Sequence, residues 1–141
     1  VTFTVNINNK RPTLKFQWQA AANAWADRAE PVIEEALREA APQRTGELRK
    51  SVRGERAVAG ASAVLTFTAV DYARYVIDGT RPHEIRPRHA QALFWPGAQH
   101  PVAVVHHPGT RPNDFVARAL EPLTPEIQAA MDEAIAAQFQ I

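Results

Sequence analysis

The chain opens on a strict alternation. In Thr2-Phe3-Thr4-Val5-Asn6-Ile7-Asn8 the apolar positions Phe3, Val5 and Ile7 fall on one face, the period of a half-buried strand. Asn8-Asn9 and Arg11-Pro12 break it. From about Thr13 to Ala40 the period lengthens: Trp18, Ala22, Trp25, Ala29, Val32 and Ala36 recur at steps of four and three, widened by Ile33, Leu37 and Ala40. That spacing predicts a long amphipathic helix. Pro31 removes a backbone donor and its ring crowds the carbonyl of Asp27, so a kink or break is expected there.

Ala41-Pro42 ends the helix, and Thr45 is placed to cap a short turn through Gly46-Glu47-Leu48. Strand character returns at Val52 and again over Ala63 to Val70, where Leu65 and Phe67 share a face and Ala59-Gly60-Ala61-Ser62 supplies the turn between two antiparallel strands. Tyr72, Tyr75 and Val76 fit one helical turn closed by Gly79. Residues 80–101 are rich in Pro, Arg and His with little periodicity beyond Leu93-Phe94-Trp95, and Val102 to Val105 is a short apolar run, so a long loop with strand pieces is expected. Pro112-Asn113-Asp114 opens a helix with Phe115, Ala119 and Leu120 inward; after a bend at Pro122 and Pro125, Ile127, Ala130, Met131, Ala134, Ile135 and Phe139 form a second stripe. These elements predict an α+β fold: a long N-terminal amphipathic helix and a C-terminal helix packed on a small, mainly antiparallel sheet, with a long Pro- and Arg-rich loop. At 141 residues a single domain over residues 1–141 is the default.

Composition narrows the chemistry. With no Cys there is no disulfide, thiolate metal site or thiol nucleophile. The first residues lack a basic head followed by an apolar core, and no stretch approaches the roughly 18 apolar residues of a membrane span, so a soluble, unexported protein is expected. The net charge of +1 conceals an uneven layout. Residues 16–43 carry a surplus of three acids, and residues 44–118 hold ten Arg and Lys50 against six acids; residues 119–141 have four acids and no Lys or Arg. Such a layout suits subunits that meet side by side, and equally suits faces that fold back on one another within one chain.

The five histidines, His83, His89, His100, His106 and His107, lack the spacing of a helical zinc motif, since His83-Glu84 continues Ile85-Arg86-Pro87 and His106 and His107 are adjacent. Ser51 and Ser62 sit in no nucleophile elbow. The six glycines form no phosphate-binding loop. No catalytic residue, metal ligand or cofactor-binding residue is therefore assigned. Arg44, Arg49, Lys50, Arg53 and Arg56 are the candidates for facing DNA phosphates, on a loop and a strand and so without a recognition helix. Gly79-Thr80-Arg81-Pro82 recurs as Gly109-Thr110-Arg111-Pro112, which reads as turn chemistry that leaves Arg81 and Arg111 free to project. With Arg86, Arg88, Phe94 and Trp95 they make up the interface candidates.

Four motifs in order then stand out: Ala41-Pro42-Gln43-Arg44-Thr45-Gly46-Glu47-Leu48-Arg49-Lys50-Ser51-Val52; Tyr72-Ala73-Arg74-Tyr75-Val76-Ile77-Asp78-Gly79-Thr80-Arg81-Pro82-His83; His107-Pro108-Gly109-Thr110; and Asn113-Asp114-Phe115. Over about residues 15–140 the chain resembles the neck and tail-completion (head-tail joining) protein family of siphovirus-type bacteriophages, relatives of the minor tail protein Z group. Order and spacing carry the resemblance; no one motif does. It implies a structural virion protein of the head-tail junction, assembled in the host cytoplasm. Such a protein forms a homo-oligomeric ring, hexameric or dodecameric, with no cofactor and no enzymatic activity. Its partners would be other neck and tail proteins, namely the head-closure or adaptor protein, the tail terminator and the tail tube. A tail terminator or head-closure (stopper) ring protein is the alternative in the same class. From other classes the alternatives are a nonspecific nucleic-acid-binding module, which salt-dependent DNA binding would favour, and a His-dependent metal hydrolase, which bound metal would favour.

Overall fold

The computed structural model describes residues 1–8, 15–60 and 62–139. The expected break at Asn9, Arg11 and Pro12, any helix before Lys15 and the turn residue Ala61 lie outside the described residues, as do the side chains of Phe3, Ile7 and Phe139. The fold is α+β, and the chain divides into two compact units, residues 1–73 with 114–141 and residues 74–113.

In the first unit β1 (Thr2–Asn8), β2 (Arg53–Ala59) and β3 (Ser62–Thr68) form an antiparallel sheet of order β1-β3-β2. Alternation puts Ala63, Leu65 and Phe67 on the buried face of the central strand. α1 (Lys15–Ala40) packs against β2 and β3 and also against α4 (Phe115–Leu120) and α5 (Thr124–Phe139), which explains why its apolar stripe is wide: Ala22, Trp25, Ala26, Ala29, Ile33 and Leu37 are all buried. Trp25, Ile33, Leu37, Leu65 and Phe67 lie in one cluster, joined by Ala130 and Ala134 of α5. The Trp25 indole, fully buried, donates its Nε1 hydrogen to the Ile127 carbonyl at 3.3 Å, so its polar edge is satisfied. Trp18 is half-buried and outside that cluster. A helix of 26 residues runs about 39 Å, well beyond the reach of seven-residue strands.

α1 runs unbroken through Pro31. Pro31 lies on the exposed side of the helix, and its missing N–H leaves the carbonyl of Asp27 without an intrahelical donor. The chain re-enters the helical layer at Asp114, whose carboxylate accepts from the Ala117 N–H at 3.0 Å, with Phe115 fully buried just inside. Pro122 stands in a 3-10 turn (Glu121–Leu123) that links α4 to α5 with no loop between, and Pro125 falls in the first turn of α5.

Candidate functional site

The corner between α1 and the sheet explains why the Pro-x-x-Thr-Gly-x-Leu-Arg-x-Ser-Val stretch reads as it does. A helix end leaves carbonyls without partners. Arg49, on α2 (Glu47–Ser51), supplies them: its Nε donates to the Ala41 carbonyl at 3.0 Å and its terminal nitrogen to that of Glu39 at 2.9 Å. Leu48 is buried, the Ser51 hydroxyl donates to the Leu48 carbonyl and accepts from the Val70 N–H, and the Thr45 hydroxyl accepts from the Glu47 N–H. Arg53 likewise turns back on the carbonyls of Lys50 and Val52. Arg56 pairs with Asp27 and Glu30 of α1, and its pKa is raised, first by the hydrogen bond to Asp27 and then by that residue's charge. Three of the five candidates for DNA contact thus place some of their donors inside the chain. Arg53 and Arg56 are nonetheless exposed, as are Arg44 and Lys50.

Residues 74–113 form an arm. It starts in α3 (Ala73–Asp78), whose last carbonyls, Val76 and Ile77, accept from the Asn113 N–H. Beyond Gly79, Thr80 pairs with Thr110, and β4 (His83–Ile85) pairs antiparallel with β5 (Val105–His107) in the same register. That register sets Pro82 opposite Pro108, and two residues without N–H groups interrupt the ladder there. The two Gly-Thr-Arg-Pro copies are therefore partners across one ladder. Each glycine has positive φ, 71° at Gly79 and 85° at Gly109, and a side chain on either would run into the other copy's threonine carbonyl. Of the apolar run Val102 to Val105, only Val105 enters β5, while Val102 pairs with Leu93 in an isolated bridge.

The register then slips. Leu93 exchanges both backbone hydrogen bonds with Val102, so the seven residues Arg86 to Ala92 lie opposite only Ala103 and Val104. Arg86 and Arg88 are on this excursion. Arg86 donates to Glu84 at 2.8 Å and holds the Glu84 carboxyl below the usual carboxylate range, first through that hydrogen bond and then by charge, with a smaller contribution from His106. Past Leu93, the Ala98 N–H donates to the Trp95 carbonyl at 2.9 Å, closing a turn on Pro96-Gly97 that leaves Phe94 68% and Trp95 46% exposed. Arg81, Arg88 and Arg111 are exposed as well. No residue from Arg74 to Asn113 is buried. The expected long loop is thus a paired arm carrying all six interface candidates, with five Arg against Asp78 and Glu84.

All five histidines belong to this arm. The His83 Nδ1 lies 2.8 Å from the Arg81 carbonyl and so carries its proton there, whereas the His107 Nδ1 accepts from the Gly109 N–H at 3.0 Å; the two rings are 5.0 Å apart. Among the described residues no three His, Asp or Glu side chains converge as metal ligands, and no helix is long and apolar enough to cross a membrane.

The first unit carries a feature that periodicity did not single out. Val5, Trp25, Leu120, Ile127 and Met131 line an open apolar groove of about 300 Å³, with Thr124 and Gln128 along one edge. These residues come from four elements, and each reads as ordinary core or helix surface in its own segment. No protein-family model, curated protein or solved structure matches the chain.

Proposed function

We propose that the chain is a structural protein of a phage neck, which acts as one copy in a ring that joins or completes the tail at the DNA-filled head. The order of its four motifs suggests that family. The structural observation that supports it best is the arm: forty residues over 74–113, none of them in the core, with a basic surplus and an aromatic tip. A segment that buries so little of itself gains order from a neighbour, as assembly surfaces do. In this reading Arg81, Arg86, Arg88, Arg111, Phe94 and Trp95 meet other copies or other neck and tail proteins, and the chain needs no cofactor. A tail terminator or head-closure ring would use the same parts.

Deleting the gene from the phage genome that carries it is expected to leave filled heads and finished tails unjoined, and supplying the chain from a plasmid to restore joined particles. Joined, infectious particles without the chain would overturn the proposal. The nucleic-acid reading has less to stand on, since Arg49, Arg53 and Arg56 are engaged elsewhere.

A further inference from the structure

We infer that the aromatic tip of the arm seats in the apolar groove of a second copy of the chain, so that copies join head to tail. The inference takes from the ring reading only its choice of a second copy as occupant. Three observations lead to it. The tip offers Phe94 and Trp95 to solvent beside a hydrogen-bonded turn, and large exposed aromatics with a polar surround mark contact surfaces. The groove, floored by Trp25 and walled by Leu120, Ile127 and Met131, has room for an aromatic side chain. The charges also match. From Ile85 to Asn113 the arm has no acid, and Arg86 and Arg88 stand before the tip. Asp132 accepts a 3.0 Å hydrogen bond from the groove residue Gln128, and Glu121 comes three residues before the groove residue Thr124; both acids are exposed, in a segment with no Lys or Arg. A basic aromatic tip and an acid-rimmed apolar groove on one chain are complementary but different surfaces. Their contact is heterologous, and it propagates into a ring if the rotation closes.

The test is a pair of variants examined by analytical ultracentrifugation. Trp95→Glu spoils the tip and keeps the groove; Gln128→Trp fills the groove and keeps the tip, with Asp132→Arg as a second groove variant. All three positions are exposed, and unchanged melting curves establish folding. The wild-type chain should associate with rising concentration, and each variant alone should do so roughly 30-fold or more weakly, the size of an interface hot spot. Mixed, the tip and groove variants should form a discrete one-to-one dimer that grows no further. Variants that associate as well as wild type would overturn the inference and leave the neck reading intact. So would a mixture that stays monomeric, or a wild-type chain that stays monomeric throughout. Loss of particle joining is a separate readout that tests the neck reading itself.

Discussion

Thr80 and Thr110 exchange both of their backbone hydrogen bonds, each 3.0 Å, and their hydroxyl oxygens sit 3.1 Å apart. The pair fastens the ladder near the two ends of residues 74–113, and the glycine before each threonine leaves space for the other's carbonyl. Gly109→Ala should therefore open it. A non-glycine residue at that positive φ costs about 1–2 kcal/mol before any collision is counted. Amide exchange at Thr80 and Thr110 should accelerate roughly tenfold or more, with the melting of the first unit little changed. Unaltered protection at both amides would refute the pairing.

Trp25→Ala should destabilise the first unit by about 3–5 kcal/mol in a urea melt, because the indole is fully buried between α1, α5 and the sheet. Trp18→Ala should cost less, as that side chain is half-buried and outside the cluster. Equal losses would mean that the core extends along the whole of α1.

Arg49→Ala should destabilise by roughly 1.5–3 kcal/mol, since two carbonyls at the end of α1 lose a charged donor. Arg44→Ala, on an exposed loop, should stay within about 0.5 kcal/mol. Both are measured by denaturant melts. If DNA retention falls with Arg49→Ala while stability does not, Arg49 belongs to a nucleic-acid surface.

The sign of the Glu84 effect is fixed by its depressed pKa. Its pairing with Arg86 is fully present above the carboxyl's unfolded value and is lost as the pH falls through the lower folded value. In a carbon-detected NMR titration Glu84 should protonate below the usual carboxylate range, and Arg86→Gln should bring its midpoint back up. An unmoved midpoint would place the cause elsewhere.

Much of the first unit was legible because burial there is periodic. Leu65 and Phe67 alternate along a strand, Trp25, Ile33 and Leu37 repeat along a helix, and Asp114 with Phe115 announces a helix start. The arm was not legible as a ladder, since its strands lie exposed and carry no alternation; its one signal was the repeated tetrapeptide, whose copies turned out to be partners. The contacts of the basic cluster were hidden for a different reason. A count of charges does not say that Arg49 and Arg53 bend back onto backbone carbonyls or that Arg56 is met by α1. The groove gathers residues from distant segments, and no local pattern announces such a convergence.

Arg86-Pro87-Arg88-His89-Ala90-Gln91-Ala92 is surplus length on one strand, set against just two residues on the other. Neither the threonine pair below it nor the Leu93 and Val102 bridge above it depends on how many residues the surplus contains. Mutation can therefore lengthen, shorten or recharge this stretch while both fastenings stay closed. The length and charge of this stretch become adjustable features that can change without a new fold.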